Sequence, residues 1–366
     1  MIILSDQLGV IGLVGSYPRG PEGTEGPIRE SASLGPLGVF LSLLAGVVPT
    51  AIYATIIWWF DRYEKEPLWL LAVTFLWGAI PAIILSLIVE LILGVPVSVL
   101  GEGLFAEVVE SGGVAPVVEE VAKAVALLGL FVFLRREFDN VLDGIIYGAL
   151  VGFGFAMTEN VLYFLSSLFA EGWAGWGVVV FLRAIVFGLN HAFFTSLTGA
   201  ALGFARLARA AWEKWLVPLF GLGLAIAFHA IHNIGASLAE LSCLTILFSF
   251  LTDWGGILVV FVVILLAAQQ EKRWIIQELK EEVASGVLSP ANYALTVSYR
   301  RRFAARWEAL LGQSWQRWRQ LGRLFHLATE LAFKKYQLRA AGDGEDTRAA
   351  IARLRSQIVA LRDEIP

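Results

Sequence analysis

The chain has 366 residues, 57% of them hydrophobic and only 16% charged, with a formal net charge of −4. A mean hydropathy of +0.69 belongs with a polytopic membrane protein and argues against a soluble enzyme. The one cysteine, Cys243, excludes an intramolecular disulfide and leaves no Cys-x-x-Cys for zinc or redox chemistry, so it does not fix a redox compartment.

Residues 1–36 are Gly/Pro-rich (Pro18, Pro21, Pro27, Pro36) and lack a basic leader region or a small-residue cleavage site, so they read as an external, loosely ordered arm rather than a signal peptide. Apolar stretches long enough to cross the hydrocarbon then fall near 37–60, 69–94, 116–134, 141–168, 177–202, 217–237 and 246–268, about seven in all. The expected fold is all-α, a polytopic transmembrane helical bundle occupying 37–268. Loops after the odd-numbered segments carry Arg62, Lys65, Arg135, Arg136, Arg206, Arg209 and Lys214, and those after the even-numbered ones carry Glu102, Glu107, Glu110, Glu171 and Glu240. Basic loops stay in the cytoplasm, which places the N-terminus outside and the C-terminus inside.

From 269 to 366 the composition changes, because this stretch holds 17 of the 28 basic residues and 11 of the 32 acidic ones. It reads as a separate helical cytoplasmic tail, with breaks at Gly286/Ser289-Pro290 and at Ala341-Gly342-Asp343-Gly344. Beyond the second break, Ile351, Leu354, Ile358, Leu361 and Ile365 form a coiled-coil seam. The seam is short, so pairing with the preceding helix is expected. The tail's basic residues suit anionic lipid or a protein partner rather than nucleic acid, since no base-reading motif is present and Trp307, Trp315 and Trp318 fit a packed helical face.

Ionisable and amide groups interrupt four of the apolar segments: Glu119-Glu120-x-x-Lys123, Glu159-Asn160, Asn190-His191 and His229-x-x-His232-Asn233. Arg183 adds a fifth interruption. Each buried charge costs roughly 3 kcal/mol at mid-bilayer, so a shared polar site must compensate them. Lys123 is one helical turn from both acids, and two adjacent carboxylates in a low-dielectric site cannot both remain simple anions, which lets one hold a proton or act as base. Gly144, Gly148, Gly152 and Ala156 make a small-residue stripe that admits another helix closely and leads toward Glu159 and Asn160. His229, His232 and Asn233 share one helix face. At 1.5 Å per residue, Glu119 lies about 5 Å, Glu159 and His229 about 14 Å, and His191 about 21 Å below the outer boundary. Carboxylates and imidazoles at that depth suit hydrolysis, with a Glu or a metal activating water and His or Asn holding the oxyanion. A non-catalytic protein or transporter that uses the cluster for proton or ligand binding is the other class open here. Glu90 has no assigned role.

In this order, Asp61-Arg62-Tyr63-Glu64-Lys65-Glu66-Pro67, Glu119-Glu120-x-x-Lys123, Asp143-Gly144-x-x-Tyr147-Gly148, Gly154-Phe155-Ala156-x-x-Glu159-Asn160, His191 and His229-x-x-x-Asn233 resemble the PrsW family of intramembrane proteases over about residues 40–240. The family is related more distantly to type II CAAX prenyl endopeptidases and Abi-type membrane proteins. The resemblance implies a bacterial multi-pass peptidase that cuts single-pass membrane substrates near the outer face, with anti-sigma factors the best-known target. It makes Glu119, Glu120, Glu159, His191, His229 and Asn233 the catalytic set; Lys123, Asn160 and Arg183 stand in support by position, and His232, which lies outside the family pattern, reads as a structural supporting residue. The cofactor is either none or zinc. If zinc, Glu120, Glu159, His191 and His229 are the candidate ligands, although no His-Glu-x-x-His spacing exists, and the metal-free arrangement is preferred.

Overall fold

The computed structural model describes residues 26–63, 65–97, 103–135, 137–239, 241–341 and 345–362. Residues 1–25 of the arm, Glu64, Glu102, Arg136, Glu240, the break at 342–344 and Ile365 lie outside them. All regular structure among the described residues is helical: α1 (Gly26–Phe60), α2 (Leu68–Trp77), α3 (Ile83–Val97), α4 (Leu104–Val109), α5 (Ala115–Phe133), α6 (Val141–Val180), α7 (Asn190–Leu207), α8 (Glu213–Ser237), α9 (Cys243–Ala284), α10 (Pro290–Thr296), α11 (Tyr299–Leu311), α12 (Trp315–Ala341) and α13 (Glu345–Arg362). Single π-helical turns at Gly78–Ala82, Glu110–Val114 and Phe181–Val186 link neighbouring helices. Helix α1 begins ahead of the expected arm boundary at residue 36 and continues through Pro36 and Pro49.

Five helical stretches are long and apolar enough to cross a membrane. One of them, Val141–Leu207, contains 67 residues, about 100 Å of helix at 1.5 Å per residue, against the roughly 30 Å of a hydrocarbon core. It is broken at Gly172, whose φ of 70° is available to glycine but strained for other residues. That break falls in the expected loop between the fourth and fifth segments. Helix α5 is not among the five; Glu119, Glu120 and Lys123 make it too polar to be recognised by composition. Large apolar side chains such as Phe40, Ile52, Ile84, Ile88, Leu219, Phe220 and Leu258 are exposed around the bundle, as a lipid-facing surface requires. The protein is an integral membrane protein.

The chain divides into two compact units. The first comprises Met1–Trp58, Pro67–Gly203 and Leu216–Phe261, and α6 is its centre. Asn140 starts α6 with a capping box: its Oδ1 accepts from the Leu142 and Asp143 N–H groups at 2.7 and 3.1 Å, and Asp143 Oδ2 accepts from Asn140 N–H at 3.1 Å. Asp143 therefore anchors the helix rather than entering the polar site. Along one face of α6, a Cβ added at Gly144, Gly148 or Gly152 would collide with the backbone of Gly199, Thr195 or His191 on α7. On another face, Gly154 meets Phe75 and Gly78 meets Val151 in the same way, bringing α2 in. The small-residue stripe thus sets backbone against backbone and carries His191 on α7 to the polar end of α6.

The second unit comprises Trp59–Glu66, Phe204–Trp215 and Val262–Pro366. Ile351, Leu354, Ile358 and Leu361 of α13 pack with Leu324, Leu327, Ala328 and Leu331 of α12 and with Ile275 and Leu279 of α9. The seam is therefore used within the chain, against the preceding helix. Buried Glu282 accepts from Lys335 at 2.7 Å and from Arg355 at 2.7 and 2.9 Å, joining the same three helices. Of the tryptophans, Trp318 packs beneath Arg306, 4.1 Å from the guanidinium carbon, and beside Trp315. Trp307 and Trp315 are each 52% exposed, so the packed-face reading holds for Trp318 alone.

Candidate active site

Pro116 opens α5, and one turn later Glu119, Glu120 and Lys123 are all buried. The Lys123 ammonium donates to Glu120 Oε1 at 2.8 Å and to Glu119 Oε2 at 3.2 Å. It also lies 3.8 Å from the centre of the Phe155 ring. A fully buried lysine tolerates that position because two carboxylates and an aromatic face replace its water. Thr195 of α7 donates to the other oxygen of Glu120 at 3.0 Å.

The two histidines are held in the same way, each by its own carboxylate. His229 Nδ1 lies 3.1 Å from Glu120 Oε1, so with the carboxylate accepting, Nδ1 carries the proton and Nε2 carries the lone pair. His191 Nε2 lies 2.9 Å from Glu159 Oε2, which leaves the lone pair on Nδ1, 3.0 Å from the Lys123 ammonium. A carboxylate that fixes an imidazole's tautomer and turns its lone pair inward is the usual outer partner of a metal-binding histidine. The His229 lone pair faces Glu119. His229 Nε2 is 3.8 Å from Glu119 Oε2, and ligand atoms of Glu119, His191 and His229 all lie within 4.8 Å of one another.

Carboxylate oxygen and imidazole nitrogen at such distances can share a cation. Two imidazole nitrogens and one carboxylate oxygen form a zinc-type donor set. The residues therefore fit a metal ion, with a membership that differs from the sequence expectation. Glu120 and Glu159 are taken up by His229 and by His191 with Arg183, and Glu119 stands where the sequence reading placed them.

Arg183 leaves the π-helical turn to donate to Glu159 Oε2 at 2.6 Å and to Asn160 Oδ1 at 2.9 Å, above the Tyr163 ring. Glu159 and Asn160 are thus neither free carboxylate nor free amide but the clamp on a guanidinium. Asn233 donates to the Ser111 carbonyl at 2.8 Å, tying α8 to the Glu110–Val114 turn. His232 joins Asp253 instead of the glutamates.

A cavity of about 390 Å³ opens onto this group and is lined by Glu119, Glu159, Asn160, Arg183, His191 and Asn233. Glu120, Lys123 and His229 lie behind that wall. Glu90 also lines the cavity, together with Glu107 and Glu110. Thr195, Tyr163 and Asp253 escaped the sequence reading. For Asp253 a signal existed: it is a lone carboxylate inside the apolar run of α9, a position where an ionised group demands a partner.

Comparison with known proteins gives the family. A family model described as PrsW family intramembrane metalloprotease matches residues 66–284. Protease PrsW of Geobacillus kaustophilus is 31% identical over 189 residues, which covers 50% of this chain and 76% of that protein. Protease PrsW of Bacillus subtilis is 31% identical over 183 residues, 49% of this chain and 75% of its own. Protease PrsW of Oceanobacillus iheyensis is 29% identical over 196 residues, 53% and 82% of the two chains. No solved structure matches. A transporter or inactive scaffold is disfavoured by these relatives. With a family match across most of the helical bundle and acids and imidazoles converging on one cavity, the chain belongs to the PrsW family of intramembrane metalloproteases and is a peptidase.

Proposed function

We propose that the protein cuts single-pass membrane proteins at the cavity, with Glu119, His191 and His229 holding a divalent metal of the zinc type. The observation that carries this reading is the pair of carboxylate–histidine contacts, Glu120 to His229 and Glu159 to His191, on two imidazoles whose ligand atoms lie within 4.8 Å of each other and of Glu119. A bound metal would supply Lewis acidity and make water acidic enough to attack at neutral pH. Glu120 and Glu159 keep the imidazoles in their binding tautomers. Glu119, at the cavity wall, receives the proton of the attacking water and returns it to the leaving amine. Arg183, clamped by Glu159 and Asn160, faces the carbonyl oxygen as it gains charge, and Asn233 fixes α8 against the Glu110–Val114 turn.

A second reading has one observation in its favour. The Lys123 ammonium lies 3.2, 2.8 and 3.0 Å from Glu119, Glu120 and His191, and so serves as a built-in cation for a metal-free carboxylate mechanism.

The loop charges support about seven crossings, counting α5 and two in Val141–Leu207, with the N-terminus outside. On that topology the site lies in the outer half of the bilayer of a bacterial cell membrane, and an anti-sigma factor is the substrate class that the family resemblance suggests. The basic C-terminal helices form a cytoplasmic unit for lipid headgroups or a protein partner.

The test is cleavage of a single-pass reporter by detergent-purified protein, comparing wild type, Glu120→Ala and His229→Ala, each with and without a chelator. Loss with chelator and restoration by zinc supports the metal reading. Cleavage that resists chelator and disappears in both variants supports the carboxylate reading. Wild-type cleavage in both variants refutes the site.

A further inference from the structure

A second polar cluster occupies the same cavity wall, and no hydrogen bond among the described residues joins it to Glu119, Glu120 or Glu159. Asp253 of α9 is fully buried, and its Oδ2 draws two donors: His232 Nδ1 at 2.7 Å and Asn190 Nδ2 at 2.9 Å. The two nitrogens are 3.1 Å apart because they converge on one oxygen. With Nδ1 donating to Asp253, the His232 lone pair is on Nε2. With Nδ2 engaged likewise, Asn190 Oδ1 is left over. That atom is buried and has no partner, although Asn190 is only 2% exposed. Both Asn190 and His232 line the cavity, and Phe187 and Phe194 pack against the His232 ring at 4.8 and 6.3 Å.

An unpaired buried acceptor is unfavourable unless something donates to it. A peptide brought from a transmembrane helix into an active site must unwind, and its freed N–H groups carry the same penalty in lipid. Each orphan satisfies the other. We propose that Asn190 Oδ1 and His232 Nε2 form a main-chain subsite that accepts peptide N–H groups of the unwound substrate, with Asp253 as the positioning residue that aims both acceptors. The subsite recognises backbone rather than side chains, so it selects substrates by their ability to unwind. It rests on the protease reading for its occupant.

The experiment uses a synthetic transmembrane peptide scanned with single backbone esters, each replacing one N–H by an oxygen that cannot donate. Binding to the full-length Glu120→Gln protein is read by fluorescence anisotropy and cleavage is read with wild type. At one or two adjacent positions the ester weakens binding about tenfold, the size of one lost hydrogen bond plus lone-pair repulsion. That penalty disappears when Asn190→Leu is added. Because Asn190→Leu leaves the Asp253 carboxylate short of a donor, the combination Asn190→Leu with Asp253→Asn is measured beside it; it removes the buried charge while keeping an acceptor for His232. An ester penalty equal in all proteins at every position overturns the subsite, and so does failure of the unmodified peptide to bind. If Glu120→Gln cleaves like wild type, the proposed mechanism fails, and the coupling in binding judges the subsite independently.

Discussion

Replacing Gly152 by alanine tests whether the small-residue stripe positions the chemistry or merely packs the bundle. A Cβ at Gly152 would meet the His191 carbonyl and the Ala192 Cα closer than the 3.0 Å that real Cβ contacts keep. The obstacle is backbone, so no rotamer change relieves it, and α7 must retreat by roughly 1 Å to reach contact distance. Overpacking of this kind costs about 1–3 kcal/mol, against about 1 kcal/mol regained because alanine favours helix. Net destabilisation is therefore small. The activity loss is not, since about 1 Å of misplacement costs on the order of 10²-fold in rate, and the displaced residue is His191 itself.

Gly144 is the control. Its Cβ would strike the Gly199 carbonyl equally hard, yet Gly144 lies about 12 Å along α6 from Gly152 and touches no residue of the polar site. Reporter cleavage per folded molecule, with thermal unfolding followed by tryptophan fluorescence, should show both variants similarly destabilised and only Gly152→Ala about a hundredfold slower. Equal activity losses would refute the positioning argument and assign the stripe to packing alone.

Lys123→Met removes the cation from between Glu119 and Glu120, leaving Glu119 without a charge partner and Glu120 with only its neutral donors His229 and Thr195, so a loss of about 3–5 kcal/mol is expected in a melt; an unchanged melt would mean another cation neutralises them. Glu119→Gln should lower the metal content of purified protein by at least tenfold and Glu120→Gln by less, because the first removes a ligand and the second an orienting partner; equal metal content in wild type and Glu119→Gln would exclude the metal set. Asp61, just beyond α1, has its carboxyl pushed up to about 6 by burial, opposed by the Glu66 N–H and the Lys65 charge. Its native state holds the proton more tightly than the unfolded chain, so stability is present below pH 4 and is lost as pH rises toward 6. Asp61→Asn should therefore stabilise by about 3 kcal/mol at pH 8 and by little at pH 4, and a pH-independent effect would refute the linkage.

What could be read in the chain followed from costs that have no alternative resolution. Glu119, Glu120, Lys123, Glu159 and Arg183 are too expensive in lipid to stand apart, and the structure gathers them at and behind the wall of one cavity. The 3.6-residue period put Lys123 beside both acids, and the spacing of Gly144, Gly148 and Gly152 brought α7 onto α6. Pairwise partners were not legible, because periodicity fixes neighbours within a helix and not across helices. Glu119 and Glu120 are adjacent in sequence, and nothing in their order says that Glu120 turns inward to Thr195 and His229 while Glu119 faces the cavity. The family pattern, which omits His232, made it read as structural, and its partner Asp253, 21 residues on in another helix, was not legible either.

Charge accounting connects the two mechanistic readings. Glu119, Glu120 and Glu159 supply three carboxylates, while Lys123 and Arg183 supply two cations and both histidines are tied as neutral imidazoles. Glu159 is served by Arg183 and His191, and Glu120 by Lys123, His229 and Thr195. Counted as three ionised carboxylates, the group has one negative charge in excess, and the least compensated of the three is Glu119, whose Oε2 has only a share of the Lys123 ammonium. A divalent ion held by Glu119, His191 and His229 would turn that excess of one negative charge into one positive charge, and its Lewis acidity would act on water at the same place. On the proposed reading the buried lysine balances Glu120, the less compensated Glu119 attracts the cation, and the positive charge of that cation, not the carboxylate, would favour deprotonation of the water beside it.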